Sequence, residues 1–117
     1  MNHVLRLYRD EVAPQSAIAL PADNALRAIY VVAGGLRITG DHLDATLGAN
    51  SAYTSRKDLQ LKGGHLATTL LRWELTTPAT APALAGGSGV SSVLLLEAAM
   101  ALDPARPWLL RGDRVDF

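Results

Sequence analysis

Two glycine pairs, each set between runs of strand-like residues, constrain this chain more than any other feature. The first lies in "LRAIYVVAGGLRIT", Leu26 to Thr39. A two-residue loop fixes which residues oppose each other and therefore which face each side chain joins. With Gly34 and Gly35 at a hairpin turn, Ala33 opposes Leu36, Val32 opposes Arg37, Val31 opposes Ile38 and Tyr30 opposes Thr39. One face then collects Ile29, Val31, Ala33, Leu36 and Ile38, and the other Tyr30, Val32, Arg37 and Thr39. That separation predicts a half-buried antiparallel pair. A phosphate-cradling loop would need a helix after the glycines, so that backbone N–H groups converge on the anion. Here "LRITGD" has the period of a strand and ends in a turn signal. The glycine pair is also too short for a nucleotide-binding fingerprint.

The device returns in "LQLKGGHLATTLLRWEL", where a turn at Gly63 and Gly64 opposes Leu61 to Leu66 and Lys62 to His65. Between the pairs lie the short stretches "HLDATL" and "SAYT", separated by turn chemistry at Gly40-Asp41, Gly48-Ala49-Asn50 and Arg56-Lys57-Asp58. Short, closely spaced strands predict an all-β sandwich or barrel. At 117 residues the chain has room for one such domain. Its main strands fall within residues 5–76, followed by the Pro-, Ala-, Thr- and Gly-rich linker 77–89. The tail, residues 90–117, is apolar along Val90 to Leu102. Read as a strand rather than a helix, it puts Leu94, Leu96, Ala98, Met100 and Leu102 on one apolar face. "LRGDRV" near the C-terminus matches "LYRDEV" near the N-terminus at three of six positions, a faint internal similarity.

Eleven basic residues balance eleven acidic ones, which points away from nucleic acid as a partner. With no cysteine the fold holds by packing, without a disulfide or a thiolate site. The opening "MNHVLRLYRDEV" lacks the basic and apolar regions of a secretory leader, and no apolar run spans a bilayer. The expectation is a cytoplasmic protein without membrane contact.

These stretches resemble the cupins. "AIYVVAGGLRI" is similar to their central strand-turn-strand, and "LGANSAYTSRKDLQLKGGHLATTLLRWEL" to the second half of their barrel. The resemblance implies a small antiparallel β-barrel, a double-stranded β-helix or jelly roll. The tail is similar to strands that precede the metal motif of another cupin barrel, so a longer two-barrel protein is one reading of it. Cupins usually hold a divalent metal through His-x-His, three or four residues, Glu, six residues and Gly, with a further His in a second motif. Counted back from Gly34, the Glu position falls on Arg27 and the His positions on Pro21 and Asp23, or Leu20 and Ala22. The second-motif position falls within Lys57 to Leu59. None of these is a metal-binding histidine or glutamate, so the resemblance implies a degenerate, metal-free member.

Arg27 shares the parity of Ile29 and Val31, which aims its guanidinium inward. A cation there suits a small organic anion, with Tyr30, Tyr53 and Trp73 as candidate walls. The plainer reading pairs Arg27 with Asp23 or Asp41 at the barrel rim. A second alternative is a cupin-type metalloenzyme, dioxygenase- or isomerase-like, holding a divalent transition metal through His42 and His65 with Asp44 or Glu74. Against it, both histidines lie at turns without ligand spacing. No serine sits in a nucleophile elbow. The expected function is a structural or dimerisation module, or a small-molecule-binding one, without catalysis. A homodimer through the strands and the apolar tail is the expected partner.

Overall fold

The computed structural model describes residues 2–22, 25–40, 43–78, 80, 82, 88–102, 105–107 and 111. Among them the chain forms β1 (Asn2–Val12), β2 (Ala17–Leu20), β3 (Leu26–Ala33), β4 (Gly35–Gly40), β5 (Leu43–Gly48), β6 (Ala52–Ser55), β7 (Leu59–Gly63), β8 (Thr68–Thr76) and β9 (Val90–Ala101). One sheet has the order β6-β3-β8-β1-β9 and the other β2-β7-β4-β5, with every pairing antiparallel. No helix occurs among the described residues, and the two sheets face each other as a jelly-roll sandwich.

The alternation read around Gly34 holds, with one exception. Ile29, Val31, Leu36 and Ile38 are all buried, whereas Ala33 is exposed beyond an irregularity in the β3–β8 register. The hairpin itself does not form. β3 pairs with β6 and β8, while β4 pairs with β5 and β7, so the glycines carry the chain from one sheet to the other. The second glycine pair likewise separates β7 from β8 across the sandwich, and Leu61 does not oppose Leu66. Gly34 makes its corner with φ of 85°, where a Cβ would come within 2.5 Å of the Ala67 carbonyl oxygen. Only a residue without a side chain fits that conformation and that gap. The Thr68 hydroxyl closes the same corner: it donates to the Gly35 carbonyl and accepts from the Gly35 N–H. β4 and β5, by contrast, are consecutive strands that do pair, with a register that ends at Gly40 opposite Leu43.

The tail from Val90 is a strand, as expected, and runs along β1 as an edge. Its face is not the one that simple alternation gives. A bulge where Leu7 meets Tyr8 shifts the register, so Leu94 opposes Tyr8 while Leu96 opposes Leu7. Leu94 therefore faces the interior, and Leu96, Ala98 and Met100 face away from it. Of the second copy of the "LYRDEV"-like segment only Arg111 is among the described residues, and Trp108 lies outside them.

The apolar core joins Val12, Ile18, Leu20, Ile29, Val31, Leu36, Ile38, Leu59, Leu61 and Leu70 from both sheets. Its members on β3 and β8, Ile29, Val31 and Leu70, lie on the glycine-corner side of Arg27 and Glu74. The opposite side has a different chemistry.

Candidate functional site: a charged row inside the sandwich

Antiparallel register brings five residues into one inward-facing row across the five-stranded sheet. Ser55 opposes Arg27, Arg27 opposes Glu74, Glu74 opposes Arg6 and Arg6 opposes Glu97. From β3 to β9 the charges alternate in sign, the arrangement that cross-strand neighbours favour. The next rows carry Ile29, Arg72, Tyr8 and Leu94, then Val31, Leu70, Asp10 and Ser92.

Arg27 is 1% exposed. Its Nε donates to Glu74 Oε2 at 2.8 Å and its Nη2 to the Pro21 carbonyl at 2.8 Å. Arg72, deeper still, donates from Nε to Asp10 Oδ2 at 2.8 Å and from Nη1 to Glu74 Oε2 at 2.6 Å. Glu74 thus bridges two guanidinium groups. The Ser92 hydroxyl donates to Asp10 Oδ1, and the Tyr8 ring lies 4.0 Å below the Arg72 guanidinium carbon. At the β9 end, Arg6 donates from Nε to Glu97 Oε2 at 2.8 Å and from Nη1 to the Thr80 carbonyl.

Burial alone works against the charged form of Arg72, and is the largest single influence on it. The hydrogen bonds and charges of Asp10 and Glu74 together outweigh that influence, so its pKa is raised. Arg72 stays cationic inside the sandwich. Three guanidinium groups, Arg6, Arg27 and Arg72, balance three carboxylates, Asp10, Glu74 and Glu97, within this cluster. Arg27 Nη1 is a buried donor without a hydrogen-bond partner.

The residues singled out from sequence divide between two faces. Arg27 points inward as expected, and Tyr53, half-buried, packs against the apolar core on the same side. Trp73 and Tyr30 stand on the outer face, where the Tyr30 hydroxyl donates to Asn50 Oδ1. The four do not line a common cavity. Neither does Arg27 reach solvent at a rim: its anion is Glu74, brought from 47 residues along the chain. Asp23, Asp41 and His42 lie outside the described residues. His65 is exposed in the connection between β7 and β8, and Glu74 is committed to two arginines. Asp44 is exposed, and its hydrogen bond from Arg37 lowers its pKa below the usual carboxylate range. That same pair engages Arg37, which with Lys62 borders an open groove of about 480 Å³ beside Gly34 and His65.

Sequence reasoning missed Arg6, Tyr8, Asp10 and Arg72. The signal was present in "VLRLYRDEV", where polar side chains stand at every second position between Val4 and Val12, both buried. "LLRWEL" repeats it with Leu70, Arg72 and Glu74. Alternation that places charges on the apolar side marks a buried polar row.

The residues at the metal positions that the cupin resemblance implies do not fit a divalent cation. A guanidinium stands where the carboxylate ligand would be, and it already holds the neighbouring carboxylate.

No family model matches the sequence, and no curated protein is similar to it. Among solved structures, the cupin domain of Schizosaccharomyces pombe Cnp3 is similar at a TM-score of 0.57 and 12% identity, covering 62% of this chain. The matched region spans 52% of that structure, about half of its length. Strand order, facing sheets and this likeness agree: the chain has a cupin-like jelly-roll fold.

Proposed function

We propose that this chain is a metal-free cupin-like domain acting as a structural or interaction module. The observation that carries this reading is the environment of Arg27. The position corresponding to the metal-binding glutamate holds a cation, and that cation is bound by Glu74 within the fold. Metal chemistry of the usual cupin kind has no ligand set at this place. The exposed apolar side chains of β9, Val93, Leu95, Leu96 and Met100, support the interaction role.

A second reading is favoured by one atom. The unpartnered donor at Arg27 Nη1 is suited to a compact acceptor, a carboxylate or carbonyl oxygen, entering the sandwich beside Glu74. The test for both is native mass spectrometry with elemental analysis on protein made without a histidine tag. The expected result is the bare chain mass with no stoichiometric metal. Near one divalent ion per chain after dialysis would overturn the module reading. An organic adduct lost in Arg27→Gln would establish the second.

A further inference from the structure

Each sheet ends in two edge strands, and β9 is unlike the other three. Among the described residues, β2 and β6 have 4 residues each and β5 has 6, whereas β9 has 12. A short edge offers little backbone for another chain to pair with, and long edges in natural sheets are commonly blunted by lysine or proline. β9 contains neither, and its one charged residue is Glu97. It does carry a bulge, at Leu95, so the straight run along its edge is Leu96–Ala101.

Glu97 gives that run a chemical preference. Across β3, β8, β1 and β9 the charged row reads Arg27, Glu74, Arg6 and Glu97, and the alternation of sign calls for a base at the next position outward. Arg6 holds Glu97 from one side, yet the glutamate side chain is 48% exposed. Ala99 and Ala101, which share its side of β9, are exposed as well. On the opposite side of the strand Leu96 and Met100 are each more than a third exposed, and they would give an added strand apolar neighbours.

We infer that the Leu96–Ala101 edge accepts an extended segment of another protein, one that alternates apolar and polar residues and sets a lysine or arginine opposite Glu97. This rests on the interaction-module reading above. Backbone pairing supplies the affinity, about six hydrogen bonds over such a run. The base supplies the specificity, because an acidic or purely apolar strand leaves Glu97 repelled or unanswered. The same charge argues against the β9 edge of a second copy. β9 holds no base, so in no register could it answer Glu97, and in the centred one two glutamates meet.

The test is a nuclear magnetic resonance titration of the isotope-labelled full chain with a capped peptide of alternating threonine and valine, in which one central threonine is replaced by lysine. The expected result is saturable binding, with shifts confined to β9 and the adjoining β1. Glutamate in place of the lysine should weaken binding roughly fivefold or more. Glu97→Gln, whose amide oxygen can still accept from Arg6, should erase that difference while the protein keeps its folded spectrum. Methylating the peptide nitrogens at alternate positions should abolish binding in one phase only, the phase whose N–H groups face β9. Absence of saturable binding up to about 1 mM, or indifference to the exchange of lysine for glutamate, would overturn the inference. So would an equal effect of the two methylation phases, since that is adsorption rather than strand pairing. Slow hydrogen exchange in the free chain at the Leu96–Ala101 amides that do not bond to β1 would overturn it too, because the edge would then be covered by the chain's own residues or by a second copy. Metal content measured on the same samples separates the outcomes. A metal-free chain that ignores the peptide sinks the strand addition alone, and a metal-loaded chain sinks the module reading.

Discussion

Glu74 accepts from both Arg27 and Arg72 on the same oxygen, so removing either arginine disturbs the other. Arg72 has the larger consequence, because it also holds Asp10 and is entirely buried. Replacing it with leucine leaves two carboxylates inside the sandwich without their shared cation. Breaking a buried pair from one side in this way costs about 3–5 kcal/mol. Urea unfolding of Arg72→Leu should show a loss of that order, and a loss below about 1 kcal/mol would mean that the row does not stabilise the fold. The inward aim of Arg27 was legible in the sequence, since it follows from the parity of Ile29 and Val31. Its partner was not. Glu74 reaches Arg27 through the pairing of β3 with β8, and no local pattern states which distant strand lies alongside. The carboxylates nearest in sequence, Asp23 and Asp41, were therefore the natural choice; they lie outside the described residues, among which the guanidinium is held by Glu74 and the Pro21 carbonyl.

At the scale of elements, the glycine pairs show what local chemistry specifies. Gly34 and Gly63-Gly64 were legible as sharp turns, and the faces on either side of Gly34 were nearly all read correctly. Whether a turn closes a hairpin or carries the chain to a facing sheet depends on what the flanking strands meet later. β3 finds β8 and β6, and so leaves β4 to β5 and β7. The bulge in β9 was hidden for a similar reason: it appears only in the register with β1, and one extra residue there inverts the faces of everything beyond it. Gly34→Ala tests the corner. It places a Cβ against the Ala67 carbonyl and the Thr68 hydroxyl at a positive φ, so it should destabilise by about 1–3 kcal/mol in thermal or urea unfolding. Gly48→Ala is the comparison, since a Cβ there meets nothing within 4 Å. Equal losses for the two substitutions would contradict the role assigned to the Gly34 corner.

For the molecule as a whole, the path of the chain decides how it folds. Among the described strands, six of the eight connections cross from one sheet to the other, and only β4 to β5 and β8 to β9 remain within a sheet. Even β8 and β9 are separated in space by β1, whose residues come from the opposite end of the sequence. Neither sheet can therefore complete its pairings before the other, and the core needs side chains from both. Such interdependence makes unfolding a single cooperative step. The expectation is that far-ultraviolet circular dichroism and Trp73 fluorescence, read in a Trp108→Phe background, give coincident urea transitions. The same topology sets the rate. β1 must meet strands that begin more than half the chain away, so loop closure precedes most of the stabilising contacts. Stopped-flow refolding at low protein concentration should accordingly take milliseconds to seconds, as in other sandwiches of this kind. A sub-millisecond phase carrying the whole fluorescence change, or separate transitions for the two probes, would show instead that part of the five-stranded sheet forms by itself. In that case the charged row would assemble after the strands rather than together with them.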